Sequence, residues 1–219
     1  MSTETFVHLH VHTQYSLLDG TIRIKDLISK AKEFGMPAVA MTDHGNMFGT
    51  IDFYQAAQKV GIKPIIGCEL YVAPASRFEK AGGSISDVAR HLLVLAKDTQ
   101  GYENLMKLSS MGYLDGFYYR PRVDKEILTK YSAGLIALSA CLHGEVADLL
   151  LKEKFNEALQ AAEFYRNIFG EGNYFLEIME NGLPEQKKAN EGLLEISRRL
   201  SIPVAATNDC HYLNREDAE

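Results

Sequence analysis

A chain of 219 residues, 46% of them hydrophobic, can bury one sizeable core and suits a single α/β domain better than two. No run approaches the ~18 consecutive apolar residues of a membrane span, the polar opening Met1-Ser2-Thr3-Glu4 argues against a secretory leader, and three cysteines are too few for a disulfide framework and fit a reducing cytoplasm. The net charge of −6, with no large Lys/Arg cluster, excludes tight autonomous DNA binding.

In chain order, residues 6–11 alternate apolar side chains with histidines and predict a strand. His10 and His12 then point to one face about 6.5–7 Å apart, with His8 one step back. Such a pair can hold a borderline metal; the alternative is a histidine-rich strand on a wet face. A helix over 24–34 and a strand over 38–41 follow. Next come a helix over about 47–60, with Tyr54, Ala57 and Val60 at helical spacing, and a strand over 65–72. Residues 73–87 read as loop or hairpin, 91–96 as a strand, 102–111 as a helix and 112–123 as an aromatic, irregular stretch. A strand at 135–138 precedes a long helix over 145–169 with room for one break. A strand at 174–178, a helix over 184–200 with Pro184 near its start and a strand at 204–206 complete the chain. Seven strands, mostly separated by helices, favour a βα barrel, and there is no internal repeat.

One predicted strand end after another carries a metal-binding side chain. Asp19 sits in a Leu-Leu-Asp-Gly loop, His44 in Thr42-Asp43-His44-Gly45, and Glu69 in Gly67-Cys68-Glu69. Cys141 ends Leu138-Ser139-Ala140-Cys141, and Asp209 and His211 follow the last strand. In βα barrels the carboxyl ends of the strands gather on the rim where active sites are built.

The segments HLHVHT, TDHG, GCEL, LSAC and NDCH resemble the polymerase and histidinol phosphatase (PHP) superfamily. Adding SLLDG, FYQAAQKVGIKPIIGCELYVA, GFYYRPRVD and GLPEQKKAN, the chain resembles the amino-terminal PHP domain of bacterial DNA polymerase III alpha subunits from Phe6 to Ala218. The resemblance implies a distorted seven-stranded (β/α)7 barrel with a metal cluster at the carboxyl rim of its strands. It implies nine ligands, His10, His12, Asp19, His44, Glu69, His91, Cys141, Asp209 and His211, holding up to three divalent ions, with Glu69 as a bridge. It also implies catalytic roles for His10, His12, Glu69 and Asp209. The ligand types suit zinc, manganese or iron. The implied activity is phosphoester hydrolysis, and in a polymerase 3′–5′ exonuclease action on DNA 3′ ends. The implied partners are those 3′ ends, the remainder of the alpha chain and a separate exonuclease subunit. The alternatives are a structural module that docks that subunit and a stand-alone small-molecule phosphatase. Residues 1–219 then form one domain cut from a longer polymerase chain, with 214–219 opening an acidic helix, and should not synthesise DNA alone.

Several residues carry competing readings. Asp43 orients a histidine or caps a helix rather than binding metal. His8 and His143 fall outside the ligand pattern, and His143 reads as a loop residue. His91 begins its strand where the other candidates end theirs, so it joins the cluster only if that strand runs antiparallel beside Glu69. Arg120 and Arg122, next to Phe117-Tyr118-Tyr119, are candidate DNA contacts against the plainer reading of a packed aromatic loop. Lys187-Lys188 and Arg198-Arg199 read as a solvated helix face.

Overall fold

The structure, a computed structural model, describes residues 6–80 and 88–218. Its strands are β1 (Ala38–Met41), β2 (Lys63–Val72), β3 (Arg90–Ala96), β4 (Arg122–Val123), β5 (Leu135–Leu138), β6 (Tyr174–Ile178) and β7 (Val204–Ala206). They form one mixed sheet in the order β1-β2-β3-β5-β6-β7, with β4 pairing with β2. Only β3 runs against its neighbours, antiparallel to both β2 and β5. The segment around His10 joins the two ends of this sheet. The Ala40 and Thr42 amides donate to the His8 and Val11 carbonyls on one side, while His12 N donates to Cys210 O and Cys210 N to His10 O on the other.

The predicted strand over 6–11 is not a regular strand; only isolated bridges at Val11 and Thr13 mark its path. The physical reason lies at Val11, whose amide donates to the Thr42 hydroxyl at 2.9 Å instead of to a ladder carbonyl. The strand count stays at seven because Arg122–Val123 forms a short strand that the sequence reading left irregular.

Among the described residues, seven α-helices cover the sheet: α1 (Ile24–Glu33), α2 (Thr50–Val60), α3 (Thr99–Leu114), α4 (Lys125–Tyr131), α5 (Glu145–Leu151), α6 (Phe155–Phe169) and α7 (Pro184–Leu200). The expected break in 145–169 falls between α5 and α6, where Glu153 takes a left-handed φ of 62°. α3 starts earlier than its apolar spacing predicts because the Asp98 carboxylate caps it, accepting from Gly101 N. α4 was not expected; Asp124 caps it by accepting from Ile127 N. Leu70, Val94, Leu105, Leu128, Tyr165 and Leu193 belong to the main core between sheet and helices. Val11, Ile28, Met41 and Phe53 form a second core under α1 and α2, and Ala40, Leu93, Leu95 and Leu138 fill the barrel interior. Of the expected loop or hairpin over 73–87, residues 81–87 lie outside the described ones. The carboxyl-terminal acidic stretch forms a short 3-10 turn, Arg215–Ala218. Among the described residues, no helix is long and apolar enough to cross a membrane.

Candidate metal centre

The rim where β1, β2, β6 and β7 point brings the histidines and carboxylates together. Glu69, 1% exposed on β2, is the hub. Its Oε2 lies 2.7 Å from His44 Nδ1 and 3.6 Å from His12 Nε2, and its Oε1 lies 3.0 Å from His91 Nδ1 and 3.4 Å from His10 Nε2. Asp209 Oδ1 stands 3.2 Å from Nε2 of both His10 and His12 and 3.1 Å from His211 Nε2. Asp19 Oδ2 is 3.2 Å from His44 Nε2, and Cys141 Sγ is 3.8 Å from His91 Nδ1. The antiparallel β2–β3 pairing sets Tyr71 opposite His91 and Glu69 opposite Leu93, so the first turn of β3 reaches the same rim as the end of β2. His10 and His12 do share one face, as the alternation predicted; both are fully buried beneath the pocket.

The electrostatics mark these groups as a cation site. Both Glu69 oxygens and His44 Nδ1 are buried without an aligned hydrogen-bond partner, despite their short separations. His10 Nε2 faces His12 Nε2 at 3.1 Å, two atoms that repel unless a proton or cation lies between them. Burial pulls the His44 imidazole down, but the Asp19 hydrogen bond and the close Glu69 and Asp19 charges win and raise it to about 9. Burial likewise opposes His10, yet Glu177, Asp209 and Glu69 hold it well above the usual histidine range. Burial would raise the Glu69 and Asp209 carboxyls; the surrounding imidazoles outweigh it and keep both well below the carboxylate range. Burial and the nearby carboxylates push the Cys141 thiol up. Among the described residues, three trios have ligand atoms within 4.8 Å of one another: His12, His44 and His211; His10, His12 and Glu69; and His44, Glu69 and His91. Imidazole nitrogens, carboxylate oxygens and a nearby thiol fit a borderline divalent ion.

Neighbouring groups aim the two buried histidines. His10 Nδ1 donates to Glu177 Oε1 at 2.7 Å, leaving Nε2 turned to the cluster. The Ser16 hydroxyl donates to Asp43 at 2.7 Å and receives His12 Nδ1 at 3.0 Å, which turns His12 Nε2 the same way. Asp43 also takes the Thr13 amide and hydroxyl, and through Ser16, whose oxygen accepts the His44 amide at 3.2 Å as well, it braces both the His12 ring and the His44 backbone. Sequence reasoning missed Glu177; its signal is one carboxylate inside the apolar strand Tyr174-Phe175-Leu176-Glu177-Ile178.

An open pocket of about 390 Å³ exposes one side of the cluster. Tyr71 and His143 line it, neither foreseen; the His143 carbonyl also accepts the His91 amide at 3.0 Å. Arg120 lines the pocket as well, whereas Arg122 corrects the sequence reading. Arg122 is 3% exposed, and its guanidinium donates to the carbonyls of Gly116, Arg77, Glu79 and Val88. It clamps a loop and is unable to reach DNA. His8 stands apart, 3.5 Å from Cys210 Sγ, and Cys68 is packed in the core. Lys188 pairs with Glu153, and Arg198 and Arg199 with Glu195, on the helix surface.

The PHP domain family model matches residues 8–181. The chain is 50% identical to the DNA polymerase III alpha subunit of Borreliella burgdorferi over 97% of its own length and 18% of that relative. It is 50% identical to the alpha subunit of Treponema pallidum over 100% of its length and 19% of the relative. It is 49% identical to that of Thermus aquaticus over 97% and 18%. It thus spans about a fifth of the length of these relatives. Two solved structures share the fold. One, from Bifidobacterium adolescentis and assigned as a metal-dependent phosphoesterase, is 16% identical with a TM-score of 0.51, covering 95% of this chain and 88% of that one. The other, a Chromobacterium violaceum amidohydrolase with bound sulfate and no metal, is 14% identical with a TM-score of 0.53, covering 94% and 87%. A mixed sheet with helices around it, a rim of histidines and carboxylates, and a family match over most of its length place this chain in the PHP domain family.

Proposed function

We propose that this chain is a metal-dependent phosphoesterase that removes nucleotides from DNA 3′ ends. In this reading residues 1–219 act as one domain of a DNA polymerase III alpha chain in the bacterial cytoplasm. The observation that carries it is Glu69, a buried carboxylate met by four imidazoles without hydrogen-bond alignment. His10, His12, Asp19, His44, Glu69, His91, Cys141, Asp209 and His211 would hold up to three zinc, manganese or iron ions. When bound, such ions supply Lewis acidity that brings water toward ionisation at neutral pH and neutralises phosphoryl oxygens.

The chain's own residues do the rest. Glu69 shares its two oxygens between His10/His91 and His12/His44, so it ties the sub-clusters together. Asp209 ties His10, His12 and His211. Glu177 and Ser16 hold the imidazole tautomers that leave Nε2 free. In this reading the pocket of about 390 Å³ above the cluster receives the strand end. His10, His12, Glu69 and Asp209 form its reacting floor in this reading. The 3′-end assignment draws on the alpha-subunit relatives, and polymerisation would belong to the remainder of such a chain.

Metal-loaded protein should shorten a 5′-labelled oligonucleotide one nucleotide at a time from its 3′ end. The His10→Ala/His12→Ala double variant should not, and equal hydrolysis by both would overturn the reading. One surface feature favours the docking role as a companion. Phe48, Tyr113 and Phe117 form an exposed run of rings 6.1 and 6.2 Å apart beside Leu114, 82% exposed. The rest of a polymerase chain, or a separate exonuclease subunit, would cover such a patch.

A further inference from the structure

We propose that Arg120 binds a non-bridging oxygen of the phosphoryl group presented to the histidine–carboxylate cluster, with Tyr71 as the ring that holds its guanidinium in place. This rests on the phosphoesterase reading and names the residue that would position the substrate.

The backbone delivers Arg120 to the pocket by an unusual turn. Tyr119 takes a φ of 58°, a conformation that bulky L residues rarely adopt. Across it, the Tyr118 amide donates to the Arg120 carbonyl at 3.0 Å. Pro121 follows and packs against the turn that carries His44: a Cβ on Gly45 would lie 2.7 Å from Pro121 Cγ, and Gly45 itself has φ +63°. The two turns are thereby locked together. Arg120 sits over the Tyr71 ring, 5.6 Å from its centroid. That ring in turn stacks on His44 at 5.8 Å and meets the edge of His91 at 5.1 Å. The guanidinium is one aromatic ring away from two of the proposed ligands.

Its surroundings separate it from the structural arginines. Arg77 is taken up by Asp124 and Glu126, and Arg122 by four carbonyls. Among the described residues, no carboxylate lies within ion-pair distance of Arg120, and a ring face uses none of its N–H donors. Of the residues lining the pocket it is the one arginine or lysine, facing carboxylates, imidazoles and a thiol. A guanidinium stays charged at any working pH and offers a planar fork that matches two phosphoryl oxygens. Divalent ions would occupy the carboxylates, leaving this fork for the substrate.

The test compares the parent chain with Arg120→Ala and Arg120→Lys, all loaded with manganese. Three readouts are taken: metal content by elemental mass spectrometry, inorganic phosphate binding by calorimetry, and kcat and KM on a 3′-recessed oligonucleotide. Arg120→Ala should keep the parent's metal content, bind phosphate at least about tenfold more weakly and raise KM by a similar factor. Arg120→Lys, a point charge without the fork, should fall between. Phosphate affinity within about twofold of the parent in Arg120→Ala would overturn the proposal, as would loss of metal together with affinity, which marks a structural role. A parent that does not bind phosphate also overturns it. Arg120-dependent phosphate binding without hydrolysis of DNA ends would sink the phosphoesterase reading and leave this site standing. Hydrolysis indifferent to Arg120 would do the reverse.

Discussion

At Glu177 the strand buries a carboxylate at 2% exposure, a costly placement unless the group is put to use. It receives His10 Nδ1 and the Thr207 hydroxyl on the same oxygen, and so fixes which imidazole nitrogen faces the cluster. Glu177→Gln keeps the volume but weakens that hold, and should reduce metal affinity about 10- to 100-fold. Competition against a chelator of known affinity measures this, and an unchanged affinity would show that His10 is oriented by packing alone. The imidazole charges give a second expectation. His44, raised from 6.5 to about 9 by Asp19 and Glu69 against the pull of burial, carries a proton at pH 7 in the metal-free chain. Metal binding needs the neutral ring, so uptake should release protons and tighten as pH rises from 7 to about 9. In the metal-free chain the sign for folding is opposite. The proton on His44 stabilises the fold fully below the unfolded value of 6.5, and that contribution is lost as pH climbs through about 9. Calorimetry in two buffers of different ionisation enthalpy reads the proton release; no buffer dependence would contradict it.

Helix α3 shows at the level of an element why local preference and packing can disagree. Gly101 lies in its first turn, where alanine would gain up to about 1 kcal/mol in helix propensity. An added Cβ would sit 1.7 Å from the Gly134 carbonyl oxygen, in the turn before β5. That overlap is with backbone and has no cheap relief, so Gly101→Ala should lower the urea midpoint despite its better propensity. A raised midpoint would show that the two turns can part. Elements with a long apolar period were legible in the sequence: α7 has its predicted bounds, and the 145–169 helix breaks once as expected. α4 and β4 were not, since seven and two residues are too few for periodicity to register. Only the Asp124 cap signalled α4. At the rim, the strand-end residues could be picked out because apolar strands that stop on His, Asp, Glu or Cys are conspicuous. Glu177 and His143 were less so, one hidden inside a strand and the other in a loop whose path only tertiary structure fixes. The antiparallel setting of β3, needed to bring His91 to Glu69, was derivable as a condition and is met by the observed pairing.

For the molecule as a whole, the acidic balance and the histidine cluster bear on each other. A chain of net charge −6 repels a nucleic acid strand, and several of its acids are concentrated at the one pocket where a phosphate would enter. Bound divalent ions would reverse the local sign, with Arg120 beside them, while the remaining surface stays a poor DNA binder. DNA affinity of the isolated chain should therefore be weak and salt-sensitive. The claim on which all of this rests is that the cluster around Glu69 is a multi-metal site. Elemental mass spectrometry on dialysed protein, before and after loading with zinc and manganese, tests it most directly. About two to three equivalents per chain are expected, lost in the His10→Ala/His12→Ala variant. One equivalent or none after loading would contradict it and leave the cluster a proton-linked element of the fold.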